Sequence, residues 1–404
     1  MSNFTDFFAA VGIDLQSSVK TADFTAVANE GYLVNTTSSA ITVTLPSSPS
    51  LGDEVLIIDY AGTFGTNNVT LTSSDNIQGT SNDRAIKKNN NSVKLIYSDA
   101  AKGWLVGSAS ETSSIGSTLP SSFTVDYLVV AGGGGTDLFS GGGGAGGLRT
   151  SFAGSTNGGG SSLENSLTLS TGQAYNITVG AGGPGVAYVS PGGTSTGSNS
   201  VFHNITSNGG AGGSYQTGTD GGSGGGAGCG SNPGSYSGGS ALTSPTVQGY
   251  DGGNSGPRSG AYPCGGGGGA GGAGQNYQSS TVAGNGGIGL SNSITGAAVF
   301  YAGGGGGAVY TSGTAGSGGN GGGGDGGKVN VSNGTNGAAN TGGGGGGSPT
   351  NPVGKSVGNN GGSGVVILRY PTGYILTGIS GSTITSGSYD ITTFTSGTGN
   401  ITFN

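Results

Sequence analysis

The sequence holds few of the residues that carry catalytic or metal-binding chemistry. Charged residues make up only 7% of its 404 positions, and it has one histidine, one tryptophan and two cysteines. A single histidine cannot complete a catalytic triad, and His203, Cys229 and Cys264 stand too far apart for a short-spaced zinc motif. The composition therefore predicts a chain that is not an enzyme and that holds neither a metal nor a cofactor.

Positive charge and long apolar runs are also scarce. The chain has 11 Lys and Arg residues against 18 Asp and Glu, a net charge of −7. This balance provides no positive field for a phosphate backbone, so nucleic acid is not an expected partner. No stretch approaches the roughly 20 apolar residues of a membrane helix, and the N-terminus carries acidic residues where a secretory signal would be basic. We therefore expect a cytoplasmically made chain without membrane insertion.

Glycine is present in large excess and is unevenly distributed. Of the 98 glycines, 83 fall within residues 123–370, whereas residues 1–122 contain nine. This change of composition, preceded by a Ser- and Thr-rich stretch, predicts a domain boundary. The predicted divisions are an N-terminal helical attachment segment at 1–16, a β-sandwich-like attachment module at 17–110, a linker at 111–122, a glycine-rich domain at 123–371 and a C-terminal β-hairpin segment at 372–404.

The region before the linker shows two patterns. The apolar residues of the first sixteen positions are spaced as in one short amphipathic helix, which would dock on another protein or on its own domain. Six apolar or alternating runs follow, separated by turn residues, and they predict an all-β sandwich or barrel with Trp104 in its core. The runs are YLVNT, ITVTL, EVLIIDY, NVTLT, SVKLIY and GWLVG, between Tyr32 and Gly107.

Three structures could account for the glycine tracts. A flexible linker has this composition, but the strand-like runs VDYLVV, YNITV and VVILRY would then expose apolar faces. Collagen requires glycine at every third position, and the tracts have no such register. We therefore predict a bundle of polyglycine II helices clamped by β-strands, because only residues without side chains let neighbouring backbones approach closely enough to pair.

The loops between glycine tracts form the predicted binding surface. They are rich in Tyr, Ser, Asn and Gly, which combine rigid aromatic anchors with adaptable hydrogen bonding. An alternative is that the tyrosines only cover the ends of the tracts. Cys229 and Cys264 either form a disulfide or stay free thiols, and His203 is expected inside a strand. The six candidate anchors are Tyr215, Tyr236, Tyr250, Tyr262, Tyr277 and Tyr310.

The C-terminal segment returns to alternating apolar and polar residues. The sequence GTGN at 397–400 predicts a hairpin turn, and the flanking strands should pair at the base of the glycine-rich domain, beside 125–131 and 364–370. Four large apolar residues would be buried there. They are Ile391, Phe394, Ile401 and Phe403.

Several blocks of the glycine-rich region occur in an order that is similar to a known family. They are VDYLVVAGGGG, GGGGAGGLRTSF, YNITVGAGG, SVFHNITSNGGAGG and GSGVVILRYP. Over residues 123–371 the chain resembles the glycine-rich domain of bacteriophage tail-fibre and adhesin proteins, which are abundant in marine cyanophages. The upstream module is similar to an N-terminal β module of phage fibre proteins. In T-even-like phages, by contrast, the tip adhesin is a separate protein mounted on the fibre.

The resemblance implies a virion protein whose polyglycine II domain contacts the host through its loops. Its partners would be a host cell-surface glycan or outer-membrane protein and, through residues 1–110, other tail or neck proteins of the particle. By analogy with other fibres the chain would be a homotrimer. The alternative function is a purely structural fibre, neck or capsid decoration protein without receptor binding.

Overall fold

The structure is a computed structural model that describes residues 12–107, 115–117, 119–187, 195–230, 234–349 and 357–404. The predicted N-terminal helix falls mostly outside these residues, and its last positions contain a short strand instead. The chain divides into two compact units, Met1–Pro120 and Ser121–Asn404.

The described part of the first unit contains ten strands in two five-stranded sheets. One sheet has the order β1-β3-β5-β8-β9 and the other the order β10-β7-β6-β4-β2. The strands are β1 (Asp14–Leu15), β2 (Phe24–Thr25), β3 (Glu30–Val34), β4 (Ile41–Thr44), β5 (Glu54–Asp59), β6 (Val69–Thr72), β7 (Arg84–Ile86), β8 (Ser92–Asp99), β9 (Gly103–Val106) and β10 (Ile115–Ser117).

Both sheets contribute side chains to one apolar core. Successive strands from β3 to β6 alternate between the sheets, so β3 runs parallel to β5 and β4 runs parallel to β6. Every second residue faces inward, as with Val69 and Leu71, and Trp104 is fully buried in the same core. All six runs predicted from the sequence are strands, and the core position of Trp104 is confirmed. The shorter strands β1, β2 and β7 were missed because two or three residues show no periodicity.

The second unit contains thirteen strands among its described residues. They are β11 (Ser122–Val130), β12 (Leu148–Thr150), β13 (Leu167–Ser170), β14 (Ala174–Thr178), β15 (Ser200–Phe202), β16 (Ile205–Ser207), β17 (Leu290–Asn292), β18 (Val299–Tyr301), β19 (Val365–Pro371), β20 (Leu376–Gly378), β21 (Ser382–Ser386), β22 (Tyr389–Phe394) and β23 (Thr398–Phe403). A six-stranded sheet has the path β12-β11-β19-β22-β21 with β13 beside β11, and a five-stranded sheet has the order β16-β15-β14-β23-β20. Strands β17 and β18 form a separate hairpin.

The predicted bundle of polyglycine II helices is wrong. In the part of this unit that the structure describes, β-strands in several sheets supply the regular structure, and the one helical element is the 3₁₀ turn Gly158–Gly160. No described helix has the length and apolar character needed to cross a membrane. Most residues of the glycine tracts form neither helix nor strand. Neighbouring N–H groups of one tract donate to different segments, and every third N–H returns to the same segment: Gly144 donates to Ala211 and Gly147 to Asn208.

The glycine tracts are nevertheless buried and closely packed. The Gly267 N–H donates to the Gly305 carbonyl at 2.8 Å, and the Gly305 N–H donates to the Gly143 carbonyl at 2.9 Å. A Cβ atom at Gly267 would lie less than 3.0 Å from the Gly143 oxygen, closer than real Cβ atoms approach backbone. The absence of side chains is therefore what lets these backbones pair, and backbone polar groups here are satisfied without a sheet.

One of the two predicted pairings of the C-terminal strands is confirmed, and the turn differs. Strand β22 pairs with β19, which overlaps the expected stretch 364–370, whereas β23 pairs with β14. Strand β11, at the other expected stretch 125–131, pairs with β12, β13 and β19 instead. The turn predicted at 397–400 is wrong, because residues from Thr398 onward belong to β23 and the hairpin turn joins β21 to β22 at Gly387. Burial of the four predicted apolar side chains is confirmed: Ile391, Phe394, Ile401 and Phe403 are each at most 3% exposed.

His203 does not lie inside a strand, contrary to the sequence prediction. It occupies the turn between β15 and β16 with a φ of 52°, which interrupts the strand, and its side chain is exposed. Its ring contacts the edge of Tyr175, with ring centroids 5.3 Å apart. The sequence predicted one continuous strand at 200–206. This prediction failed because the segment folds into two short paired strands with a turn between them.

Candidate functional site: an aromatic cleft

Two segments that flank glycine tracts are held side by side by backbone hydrogen bonds. The Cys264 N–H donates to the Ala308 carbonyl at 3.0 Å, and the Tyr310 N–H donates to the Ala261 carbonyl at 2.9 Å. Pro263 and Val309 form an antiparallel bridge between them. Because residues on either side of such a bridge project to the same face, this pairing brings Tyr262 next to Tyr310.

Four aromatic rings form a continuous row at this position. The rings of Tyr262 and Tyr310 stack with centroids 5.5 Å apart, and Phe139 lies 5.3 Å from Tyr310. Tyr215 meets the other side of Phe139 at 5.7 Å in an edge-to-face arrangement. Phe139, Tyr215, Tyr262 and Tyr310 are all half-buried. Together with Cys229, Gly230 and Arg258 they line a cavity of about 120 Å³, here named the aromatic cleft.

Two of these aromatic residues adopt an uncommon backbone conformation. Phe139 has a φ of 61° and Tyr262 a φ of 50°. A bulky residue in the left-handed region is an outlier, and such residues concentrate at ligand sites because the surrounding structure must hold them there. The glycine-rich scaffold therefore presents these rings in a fixed arrangement, and a flexible loop would release the strain.

Arg258 stands at the end of the aromatic row. Its guanidinium carbon lies 5.6 Å from the centroid of the Tyr262 ring, within the range of a cation–π contact. The ion pairs of the described residues involve Lys94, Arg149 and Arg369, so no described carboxylate forms an ion pair with Arg258. The cleft thus combines apolar ring faces with one exposed positive charge.

The two cysteines lie beneath the aromatic row as free thiols. Each Sγ atom lies 3.8 Å from the carbonyl oxygen of Phe139. A hydrogen bond between the two thiols lowers the pKa of Cys229, while the same contact and complete burial raise the pKa of Cys264. The neighbouring Arg258 adds to the lowering at Cys229. Cys229 and Cys264 therefore lie close together, and a disulfide between them remains a prediction.

Asp137 is buried beside the cleft with one oxygen unsatisfied. Its Oδ2 atom accepts a hydrogen bond from the Tyr215 N–H at 3.2 Å, whereas Oδ1 has no partner among the described residues. Burial raises the pKa of Asp137 to about 7, and hydrogen bonds from backbone N–H groups oppose the rise only in part. The protein therefore holds this carboxyl group protonated under mildly acidic conditions.

The titration of Asp137 should make the second unit less stable as the pH rises. The pKa is higher in the folded state than its ordinary 3.8, so the stabilisation is complete below about pH 4 and is lost as the pH rises through about 7. The difference is on the order of 4 kcal/mol. Asp137→Asn should remove this part of the pH dependence in urea unfolding curves measured from pH 4 to 8.

Asp251→Asn, which removes a carboxylate at an exposed loop position of the same unit, is the matched control. Equal slopes of stability against pH for the wild type and Asp137→Asn would contradict the assignment.

Three of the six tyrosines predicted from the sequence meet in the aromatic cleft, namely Tyr215, Tyr262 and Tyr310. The other three lie elsewhere on the surface of the tracts. The Tyr236 ring lies against Gly230, the Tyr250 hydroxyl near Gly160, and the Tyr277 ring against Gly256.

Sequence reasoning missed Phe139, Asp137 and Arg258. Phe139 and Asp137 belong to TDLFS, a short non-glycine insertion between two tracts, and Arg258 comes four residues before Tyr262. The available signal was that each lies in a segment between glycine tracts, as the predicted tyrosines do. Across the described residues no group of three or more His, Cys, Asp or Glu side chains is arranged to hold a metal ion.

Comparison with known proteins identifies the glycine-rich region. A family model described as a glycine-rich domain matches residues 109–371, well over half of the chain. The match includes β11 and β19, the strands at which the glycine-rich region begins and ends, and every residue of the aromatic cleft. No curated protein was found to match the chain.

Proposed function

The chain belongs to the glycine-rich domain family, and we propose that it is a non-enzymatic bacteriophage virion protein, a tail fibre that binds the host cell surface through the aromatic cleft. Receptor binding would use the second unit, and residues 1–110 would attach the fibre to other tail or neck proteins. The receptor class is a cell-surface glycan or an outer-membrane protein, and the fibre would be a homotrimer by analogy with other closed fibres. The blocks of sequence that resemble phage adhesins support this assignment.

One observation carries the proposal. Segments that are distant in sequence, around Phe139, Tyr215, Tyr262 and Tyr310, converge so that four half-buried aromatic rings line one cleft. Rings that only covered tract ends would gain by burying fully, whereas these four stay half-buried. Tyrosines held rigidly lose little conformational entropy on binding and are typical energetic centres of binding surfaces.

The scaffold around the cleft also suits a binding role outside the cell. The tracts that end at the cleft are buried and their backbone groups are hydrogen-bonded to one another. Such a scaffold keeps loop positions constant, and loops on a rigid scaffold are where binding residues concentrate. Loop residues can then vary between relatives without loss of the fold.

Replacing Tyr262 and Tyr310 together with Ala should slow adsorption of phage particles to host cells at least tenfold, because two central aromatic anchors of the cleft are lost. Tyr277→Ala is the matched control, since Tyr277 is 36% exposed and lies outside the cleft. Particle yield and the far-UV circular dichroism of the purified protein should be unchanged for both variants.

Normal adsorption by the double variant would remove the basis for receptor binding. It would favour the structural alternative, a decoration protein whose loop composition does not affect adsorption.

A further inference from the structure

The volume of the aromatic cleft limits what it can hold. At about 120 Å³ it is smaller than the pockets of roughly 300–1,000 Å³ that enclose drug-sized ligands. An extended peptide or a protein loop would not enter it. One small ring, partly enclosed and continuing outward into a longer chain, matches both the volume and the open mouth of the cleft.

The walls of the cleft favour a ring with weakly polar faces. Tyr262 and Tyr310 stack with ring planes 21° apart and centroids 5.5 Å apart, an offset that leaves part of each half-buried ring uncovered. Aromatic faces carry negative quadrupole charge, which attracts the positively polarised C–H bonds on the face of a pyranose sugar. Hydroxyl groups at the rim of such a sugar would remain in water.

The charge at the mouth of the cleft selects among sugars. Arg258 is exposed, and none of the described ion pairs occupies its guanidinium. The chain as a whole has a net charge of −7, so attraction of an anion can only be local. A guanidinium binds a carboxylate through two parallel hydrogen bonds, a geometry that a neutral hydroxymethyl group cannot use.

From these three features we infer that the aromatic cleft binds the acidic terminal sugar of a host glycan, of the uronic acid class. The sugar ring packs on Tyr262 and Tyr310, and its carboxylate pairs with Arg258. This assignment rests on the proposed receptor-binding function and narrows it to one ligand chemistry.

The test measures how tightly two small probes bind to the whole chain and compares their affinities. Methyl glucuronide and methyl glucoside differ only in a carboxylate against a hydroxymethyl group at C6. Ligand-observed NMR titration should give methyl glucuronide at least about tenfold higher affinity, the factor expected for one charge-assisted bidentate contact. Equal affinity for the two probes, or no binding of either, would overturn the ligand assignment.

Variants at Arg258 separate the effect of its positive charge from the effect of its bidentate hydrogen-bond geometry. Arg258→Gln should reduce methyl glucuronide binding to the level of methyl glucoside, while Arg258→Lys keeps the charge, loses the bidentate geometry and should retain part of the preference. The side chain is exposed, so both variants should fold. An unchanged preference in Arg258→Gln would also overturn the assignment.

Adsorption assays distinguish failure of this inference from failure of the proposed function. If methyl glucuronide does not bind while replacement of Tyr262 and Tyr310 still slows adsorption at least tenfold, the ligand class is wrong and the receptor-binding function stands. If adsorption survives that replacement, the proposed function itself fails.

Discussion

Truncation after Tyr370 is expected to abolish folding of the second unit. The deletion removes β22 and β23, which pair with β19 in one sheet and with β14 in the other. It also removes four buried side chains, each contributing roughly 1.5–3 kcal/mol. Their sum, on the order of 6–12 kcal/mol as an upper estimate, equals the whole stability of a typical domain. The affected residues are Ile391, Phe394, Ile401 and Phe403.

Limited proteolysis and thermal unfolding of the full chain and the truncated chain would measure this effect. The truncated chain should lose the protected fragment that corresponds to the second unit.

A subtler variant is Phe403→Ala, which removes a ring that meets Phe123 at 5.0 Å and Tyr370 at 4.9 Å. It should cost about 3–5 kcal/mol. Ile384→Ala is the control, because that side chain is 53% exposed on β21 and should have little effect.

An unchanged melting curve after truncation would show that the C-terminal strands are an independent appendage.

Gly267→Ala should destabilise the second unit by at least about 3 kcal/mol, at the upper end of the range for overpacking in a dense core. Its added methyl group would meet the Gly143 carbonyl, which is backbone and cannot rotate away. Relief requires the two tracts to separate, which would break the bonds from the Gly142 N–H to Gly265 and from the Ala145 N–H to Gly268. The loss should appear as a lower urea midpoint for the transition of this unit.

Gly272→Ala in the same tract is the matched control. A Cβ atom at that position would come within 3.2 Å only of the side-chain Cγ1 atom of Ile288, a side chain that is 56% exposed and free to move. Its effect should be well below 1 kcal/mol, since Ala also loses less backbone entropy than Gly on folding. If the two substitutions lowered the free energy of unfolding by similar amounts, the close approach of neighbouring backbones would not be the reason that glycine is required here.

The sequence predicted the secondary structure of the first unit better than that of the second. Six strands of the first unit are alternating or continuous apolar runs, such as ITVTL and EVLIIDY, and these patterns were sufficient to locate them. Their arrangement was not predictable, because the alternation of β3 to β6 between two sheets leaves no trace in a local pattern. In the second unit the sheet positions of β11 and β19 were visible, whereas the helical-bundle prediction was wrong. Composition favours close backbone packing but does not specify which geometry achieves it.

The aromatic cleft could be predicted only in part. Tyr215, Tyr262 and Tyr310 were identifiable because tyrosine beside glycine tracts is typical of a binding loop. That they meet, and that Phe139 and Arg258 complete the row, depends on contacts between segments that are distant in sequence, as Phe139 and Tyr310 are. The raised pKa of Asp137 has the same origin, since it is caused by burial under other segments.

The sequence by itself determined the positions of the longer strands of both units to within a few residues, the need for glycine between them, and the apolar residues that close the C-terminal base. The tertiary structure alone decided which tract pairs with which, and therefore which loop residues share the cleft. The physical reason is that glycine has no side chain. A run of identical residues without side chains carries no register information, so the partners of each backbone N–H are set by the strands and side chains at the ends of the tract.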